Sequence, residues 1–352
     1  DEGPRLLAEA GVQLEERPGL LAAATAELGR RPQEMRLRDI AYSLKALAVL
    51  GRHGLFQGPG AAELLGQLYR EVQRHVPSMT LEDALMMTKA AAALAPLRRP
   101  TEVEELFAAE LLRDVRGLGP QALTDAVDAL SRLLSRRPMG AEIFGALAQA
   151  FEGLLPSFPP RQLVAVLCGL VRAGHLDPVV FDKAGHQVMR QLLGLEPKDV
   201  SLALWAFAKA SHVHAPLFSM VERDLKLQGV KRLRPRDASM LLWSFSKAEW
   251  NLDGAALGSL VHHVAGSSRE FPAEALLVSC LACARLGFAQ QPVLVQLYRS
   301  LYARLPVLTD PQLSFAFFLF STSGVRDEPL LNRFLFESGR RLPALRGQDL
   351  SN

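Results

Sequence analysis

The sequence predicts an all-α protein, a right-handed α-solenoid of about eight stacked helix-turn-helix repeats, each 37–44 residues long. The segment from Asp199 to Lys209 nearly repeats 38 residues later, from Asp237 to Lys247. Both segments place Trp and Phe two positions apart in an apolar run that ends in Lys. A fixed period of this size is typical of arrays of helix pairs, which favours this fold class over a globular one.

The first helix of each repeat is marked by one anchor position in its first turn, where an acidic side chain suits the positive end of the helix dipole. Successive anchors are 44, 39, 40, 37, 38, 37 and 38 residues apart, and they are Asp39, Asp83, Ala122, Gln162, Asp199, Asp237, Glu274 and Gln312. The string Gln67–Arg70 recurs letter for letter at Gln296–Arg299, 28 and 22 residues after its anchors. The difference of six residues equals the difference in length between the first repeat, 44 residues, and the seventh, 38 residues. The anchors and the recurring string therefore indicate the same repeats.

A second amphipathic helix is predicted after each first helix. Several of these helices begin with Pro, which is favoured at the first helical position, and several end before Leu-Pro or Val-Pro. The predicted spans are 61–76, 103–115, 141–155, 178–193, 216–227, 254–264, 292–305 and 329–342. One pair cannot bury its own apolar face, so neighbouring pairs must stack. The repeat array then occupies residues 35–352, and residues 1–34 form a partial N-terminal capping repeat.

The composition excludes some classes of protein. An apolar share of 49% is ample for a folded core, and three cysteines are too few for a disulfide scaffold. No apolar run is long enough to span a bilayer, so we expect no membrane insertion. The formal charge of +3 neither demands nor forbids an anionic partner. Residue 1 is Asp, and we expect any targeting presequence to be missing from this chain.

The two segments that begin at Asp199 and Asp237 resemble the first helix of the octotricopeptide repeat family, whose motif is about 38 residues long. They are similar as well to the heptatricopeptide repeats of apicomplexan organelles and to the repeats of FAST-kinase-like mitochondrial proteins. The resemblance is sharp in the fifth and sixth repeats, whereas in the second repeat Lys89 replaces the Trp. It implies an organellar RNA-binding protein, located in the mitochondrial matrix or, alternatively, in the plastid stroma.

Basic residues recur at two positions counted from the anchor. Position −1 is basic in four repeats and position +10 in four consecutive repeats. Eleven residues at 100° each return a side chain to within about 20° of its starting direction, so both positions share one helix face. In stacked repeats they would form rows of cations suited to the phosphates of a single strand, although cations near helix C-termini also simply complement the dipole. The residues are Arg38, Arg161, Lys198 and Arg236 at −1, and Arg132, Arg172, Lys209 and Lys247 at +10.

Trp205 and Trp243 fall at position +6, on the same side of the helix. Stacking of RNA bases on their rings is one interpretation, but packing between repeats is the more frequent role of a Trp among Leu, Ala and Phe. The densest basic patch is the linker that precedes the sixth repeat, where an anion could also meet a helix N-terminus. An ordinary solvated linker is the alternative. Its candidate residues are Lys231, Arg232 and Arg234.

The last repeat is unusually aromatic. Burial is the default for its rings, but a terminal repeat has only one neighbour to cover it. Any exposed part would therefore be a docking patch for another protein. The aromatic residues are Phe315, Phe317, Phe318, Phe320, Phe334 and Phe336.

The sequence offers no catalytic constellation. It contains no glycine-rich phosphate loop, no nucleophile elbow and no HExxH motif. Cys280 and Cys283 are expected to be core residues, because no second pair or nearby His completes a zinc site. The residues His212, His214, His262 and His263 show no ligand spacing with a carboxylate. We therefore predict a protein that is not an enzyme and has no metal site and no cofactor.

The preferred hypothesis is a solenoid that holds a segment of ribosomal RNA as a structural subunit of an organellar ribosome. One alternative is a free factor for the maturation or translation of organellar mRNA or rRNA. Another is a protein–protein scaffold of armadillo or TPR type, in which the same groove takes a peptide or helix. The partners expected under the first hypothesis are single-stranded or ribosomal RNA and other proteins of a ribonucleoprotein complex.

Overall fold

A computed structural model describes residues 34–52, 59–95, 102–135, 137 and 139–341. Within these ranges the chain forms sixteen α-helices and several short 3₁₀ turns, and no strand. The predicted all-α solenoid of stacked helix pairs is confirmed. Of the predicted capping repeat at 1–34, residues 1–33 lie outside the described part of the chain.

The helices alternate between first and second members of eight consecutive pairs. The first helices are α1 (Leu37–Arg52), α3 (Leu81–Leu94), α5 (Pro120–Leu133), α7 (Pro160–Ala173), α9 (Pro197–Lys209), α11 (Pro235–Lys247), α13 (Ala273–Arg285) and α15 (Asp310–Thr322). The second helices are α2 (Pro59–His75), α4 (Glu102–Arg113), α6 (Gly140–Leu154), α8 (Pro178–Arg190), α10 (Ala215–Gln228), α12 (Gly254–Gly266), α14 (Gln291–Tyr302) and α16 (Glu328–Arg341). Five predicted ends of second helices are too late because the residues belong to 3₁₀ turns, namely Val76, Val115, Leu155, Leu193 and Leu305.

The anchor position is the third residue of seven first helices, where a side chain can reach back to the amide before the helix. Asp83 accepts from the Thr80 amide at 3.2 Å, and Gln312 accepts from the Thr309 amide at 3.0 Å. The seventh repeat differs by one residue. Pro272 precedes α13 instead of opening it, so the third residue of α13 is Ala275 and not the predicted Glu274.

The chain divides into two compact units, residues 1–180 and 181–352. In unit 1 the successive first helices α1, α3, α5 and α7 pack against one another, and α4 packs against α6. In unit 2 the first helices α9, α11, α13 and α15 form one layer and the second helices α10, α12, α14 and α16 form the other. The apolar core of each unit lies between its two layers.

Aromatic pairs join consecutive repeats of unit 2. Phe218 of α10 meets Phe245 of α11 edge-on, with 5.8 Å between ring centroids. Tyr298 of α14 meets Phe320 of α15 in the same way at 5.3 Å. In both cases a ring of a second helix packs against position +8 of the next first helix, which is a favourable arrangement of aromatic rings.

The first helices of repeats four to eight are each followed by a left-handed residue, twelve positions after the third residue of the helix. Glycine occupies this position three times, as Gly174, Gly287 and Gly324, with φ between 68° and 78°. Ser211 and Glu249 occupy it in the fifth and sixth repeats, with φ of 55° and 52°. In four of these repeats the next amide bonds the carbonyl five residues back at 2.9–3.0 Å, as in a Schellman motif.

No described helix combines the length and the apolar character that a bilayer-crossing segment needs.

Candidate functional site

Each of α9 and α11 presents a narrow stripe of side chains on its outer face. The stripe consists of positions −1, +3, +6 and +10 counted from the anchor, and we call it the first-helix stripe. All the residues that lie between these positions on the two helices are buried. The spacing of three and four residues follows one face of an α-helix. The stripe residues are Lys198, Leu202, Trp205 and Lys209 on α9, and Arg236, Met240, Trp243 and Lys247 on α11.

In unit 1 the stripe cations are partly neutralised by acidic stripe residues. Asp128 on α5 accepts from Arg132 and from Arg172, each at 2.8 Å. Asp125, one turn earlier, pairs with Lys89 at 2.5 Å. The structure therefore places Arg132 and Arg172 on the predicted face, but in ion pairs with Asp128, one within α5 and one that bridges α5 and α7. An incoming phosphate would compete with a carboxylate for each of these guanidinium groups.

In unit 2 the predicted stripe cations are not neutralised by ion pairs with described residues. Lys198, Lys209, Arg236 and Lys247 are exposed, and none of them forms an ion pair with any residue that the structure describes. Asp199 and Asp237 lie next to the cations at −1, but both carboxylates are buried in the first turns of their helices. This half of the predicted cation set therefore keeps an uncompensated positive charge.

The one-residue shift of α13 reveals a further stripe cation. Counted from Ala275, the third residue of this helix, Arg285 lies at position +10 and ends the helix. It is exposed and forms no ion pair within the described ranges. The sequence analysis does not include Arg285 among the +10 cations, because counting from an anchor at Glu274 puts Arg285 at position +11. The row of cations at +10 therefore continues from α9 and α11 to α13.

A cavity of about 690 Å³ lies along the stripes of α9, α11 and α13. Trp205, Met240 and Trp243 supply its apolar lining, together with Phe271 and Val278. Both Trp rings are half-buried, so they pack against the protein and also face an open groove. The charged lining consists of Arg234, Arg236, Glu270 and Glu274. Each Trp therefore has one part packed against the protein and another part open to the cavity.

Arg38 and Arg161 complete the predicted set at position −1, and both are exposed. The Arg38 guanidinium donates to the Tyr42 hydroxyl at 3.3 Å and lies 5.7 Å from the centre of its ring. Lys45 approaches the same ring at 5.8 Å. The hydrogen bond from Arg38 lowers the pKa of Tyr42. Tyr42 is thus an exposed aromatic residue between two cations. It lies at position +3, and the sequence does not single it out because Phe315 is the one other aromatic residue at that position in the eight repeats.

The basic linker is only partly free. Arg232 pairs with Asp224 of α10 and donates to Gln228 at 2.7 Å, so its charge is engaged. Lys231 and Arg234 are exposed and form no ion pair within the described part of the chain. Arg234 is also the residue that immediately precedes α11, and it lines the cavity. Of the three predicted linker residues, two remain available to an anion.

The aromatic residues of the last repeat divide into two groups. Phe320 and Phe334 are buried and stack on each other with centroids 5.1 Å apart. Phe315 and Phe317 are half-buried, whereas Phe318 and Phe336 are 42% and 74% exposed. The default expectation of burial therefore holds for part of the set only.

The fold brings one of the histidines, His214, close to two further potential ligands that its sequence spacing does not indicate. Asp182 and His186, four residues apart on α8, lie beside the buried His214, and one ligand atom from each falls within 4.8 Å of the others. Burial lowers the pKa of His214. Sequence spacing does not reveal this group, because His214 lies 28 residues beyond His186 and meets it only through the packing of two helices.

The remaining candidates are structural. Cys280 and Cys283 are buried, and burial raises the pKa of both thiols, to about 12 for Cys283. His262 is within 3.0 Å of the Gln290 amide oxygen, and His263 within 2.8 Å of the Leu233 carbonyl. None of these cysteines and histidines belongs to a three-ligand group among the described residues.

A scan of the chain against known protein-family models gives no match, and a search among curated proteins gives no similar one. The likeness to octotricopeptide repeats therefore depends on the first helices α9 and α11, whose stripes also carry the unpaired cations.

Proposed function

We propose that this protein binds single-stranded RNA through the first-helix stripes of unit 2. The observation that carries the proposal is the combination, on α9 and α11, of exposed cations without ion pairs in the described ranges and two Trp rings that face one groove. Cationic grooves with aromatic side chains are the usual means of holding a single strand, since phosphates meet the cations and bases stack on the rings.

Unit 1 contributes less to binding in this proposal. Arg132 and Arg172 share Asp128, so a phosphate gains little from either cation unless it displaces the carboxylate. The main RNA contacts are assigned to four cations and two rings of unit 2, with Arg234 supporting the strand at the edge of the cavity. The cations are Lys198, Lys209, Arg236 and Lys247, and the stacking platforms are Trp205 and Trp243.

In the cell, we propose that the protein is a structural subunit that holds a segment of ribosomal RNA in an organellar ribosome, in the mitochondrial matrix or the plastid stroma. The support is the resemblance of α9 and α11 to organellar repeats. A free factor for mRNA or rRNA maturation would use the same stripe. In both settings it acts as a binding protein and not as an enzyme.

The test is a titration of the full chain into fluorescein-labelled oligouridine, followed by fluorescence anisotropy at several salt concentrations. The double variant Lys209→Glu/Lys247→Glu should lower the affinity at least about tenfold, because it removes two phosphate contacts and adds repulsion. Each lost contact should reduce the magnitude of the log–log salt slope by about 0.7. Trp205→Ala and Trp243→Ala should each weaken binding by about 1–3 kcal/mol if a base stacks on the ring.

The matched control is Arg190→Glu/Arg223→Glu, which makes the same change in net charge at exposed positions of the second helices α8 and α10. It should leave affinity close to that of the parent. Equal loss in both double variants would show that net charge, and not the stripe, attracts RNA. Undiminished binding by Lys209→Glu/Lys247→Glu would overturn the proposal.

A peptide-binding scaffold is the second candidate, favoured by the mixed charge of the cavity lining. Glu270 and Glu274 line the cavity together with Arg234 and Arg236, a pattern that suits a peptide with both charges better than a polyanion. Failure of the parent protein to bind any single-stranded RNA, together with a folded circular dichroism spectrum, would favour this candidate.

A further inference from the structure

A group of three side chains on α8 and at the start of α10 has no part in the stripe. His186 Nε2 lies 3.8 Å from one carboxylate oxygen of Asp182, and His214 Nε2 lies 4.0 Å from the other. The two imidazole rings meet edge-on with 4.8 Å between centroids. One ligand atom from each of the three residues lies within 4.8 Å of the others, which is close enough for the group to hold one metal ion.

The position of His214 is fixed by the fold. Its side chain is 2% exposed. Its ring lies against Gly185, which falls between Asp182 and His186 on α8. A Cβ on Gly185 would come within 2.5 Å of the ring, so only glycine admits the imidazole here. The buried ring therefore presents Nε2 toward the two exposed ligands, and this Nε2 makes no hydrogen bond within the described part of the chain.

A metal ion at Nε2 of His214 would change the tautomer of that ring. Its Nδ1 accepts from the Leu217 amide at 3.3 Å, so the imidazole proton lies on Nε2 in the absence of metal. Ligation through Nε2 requires the proton on Nδ1, which replaces this hydrogen bond with a donor–donor contact that metal binding must outweigh. The Leu217 amide still donates to the His214 carbonyl at 3.0 Å, so the helix start is not left without an acceptor.

We infer that Asp182, His186 and His214 bind a divalent first-row transition metal, with Zn²⁺ the best fit. Two imidazoles and one carboxylate form a set that suits Zn²⁺ and is poor for Mg²⁺ or Ca²⁺, which prefer oxygen ligands. Because the side chains of Asp182 and His186 are each 58% exposed, water can complete the coordination sphere. The site joins α8 to the turn before α10, independently of any RNA contact.

The experiment uses the full chain after removal of metals with a chelator. Addition of CoCl₂ should produce the visible absorption bands of a four- or five-coordinate Co²⁺ site, and ZnCl₂ should abolish them by displacement. Isothermal titration with ZnCl₂ should give one site per chain. Asp182→Asn, His186→Ala and His214→Asn should each weaken Zn²⁺ binding at least about tenfold, since each removes one ligand. Asn at 214 can still cap α10 through its side-chain oxygen.

The control is His262→Ala, which removes an exposed imidazole from α12 and should leave Zn²⁺ affinity unchanged. If His214→Asn fails to fold, the two exposed positions alone decide the question. The proposal is overturned if the parent shows no Co²⁺ bands, or if Asp182→Asn and His186→Ala bind Zn²⁺ as tightly as the parent does. Oligouridine binding is measured separately, so metal binding and RNA binding can each fail without affecting the other.

Discussion

At the scale of single residues, Glu222 shows how one side chain ties a repeat to the next. Its carboxylate accepts from the Trp250 indole at 2.9 Å and from the Asp253 amide at 3.0 Å, and it lies 3.3 Å from the Lys226 ammonium. Burial would raise the pKa of Glu222, but the hydrogen bonds from Trp250 and Asp253, together with Lys226, outweigh it and lower the pKa. The ionised form is therefore the one that stabilises the contact of α10 with the turn before α12.

We expect Glu222→Gln to lower the free energy of unfolding by about 1–2 kcal/mol at about pH 7, because hydrogen bonds to an ionised group become weaker bonds to a neutral amide. A lowered pKa in the folded state means that the stabilisation is fully present above the ordinary value of 4.5 and disappears as the pH falls through the folded value. Urea unfolding from about pH 7 to about pH 3 should therefore show the parent and the variant converging at the acidic end of the range.

Glu249→Gln is the matched control, because Glu249 is exposed and forms no ion pair among the described residues. Its stability should follow that of the parent at every pH. A difference between Glu222→Gln and the parent that stays constant to the acidic end of the range would contradict the role assigned to the Glu222 charge.

At the scale of secondary-structure elements, the left-handed residue that follows each of the last five first helices sets where that helix ends. This conformation costs a residue with a Cβ roughly 1–2 kcal/mol, whereas glycine adopts it freely. Ser211 and Glu249 take it without being glycine. They end α9 and α11, the two helices that carry Trp205, Trp243 and the cations that form no ion pair in the described ranges.

We expect Ser211→Gly and Glu249→Gly each to raise the free energy of unfolding by about 0.5–1 kcal/mol, through relief of the left-handed conformation. Gly324→Ala should lower it by about 1 kcal/mol, and the cause would be backbone strain alone, since no atom lies within 4 Å of the added Cβ. Chemical denaturation measures all three. Ser211→Ala is the control that should bring no gain, and equal stabilisation by Ala and Gly would refute the explanation.

The elements are predictable from the sequence to the extent that the chain repeats its local signals. Anchors, prolines and apolar spacing locate the helix pairs, because helix starts depend on nearby residues. The seventh anchor is displaced by one residue because a proline can stand either before a helix or at its first position. The ion pair between Asp128 and Arg172 is not predictable, since Arg172 is 44 residues away and the pairing depends on side-chain reach across stacked helices.

At the scale of the whole molecule, packing is local in each unit. First helices contact the first helices of adjacent repeats in both units. Second helices contact second helices throughout unit 2, and α4 contacts α6 in unit 1. Stability in such a chain is a sum over neighbours, so damage should remain close to its source. The positive charge is distributed locally as well. In unit 1, Asp125 and Asp128 pair with Lys89, Arg132 and Arg172, whereas the stripe cations of unit 2 form no ion pair in the described ranges.

We expect Phe245→Ala, which empties a fully buried site on α11, to cost about 3–5 kcal/mol. Amide hydrogen exchange should accelerate mainly in α9–α13, while α3–α6 keep the protection of the parent. Phe144→Ala on α6 is the counterpart in unit 1. It should accelerate amide exchange mainly in the helices around α6, while α9–α13 keep the protection of the parent. Uniform loss of protection along the chain in both variants would show that the molecule unfolds as one cooperative body.

The narrowness of the first-helix stripe has an evolutionary consequence. In each repeat of about 38 residues, α9 and α11 each present four stripe side chains on the outer face. The residues between those four positions are buried in the core. Mutation at these positions can therefore change the outer face while the buried residues of the two helices stay the same. Related chains are expected to diverge fastest at these four positions of each helix. A combinatorial library restricted to the same positions would test new ligands on the same scaffold.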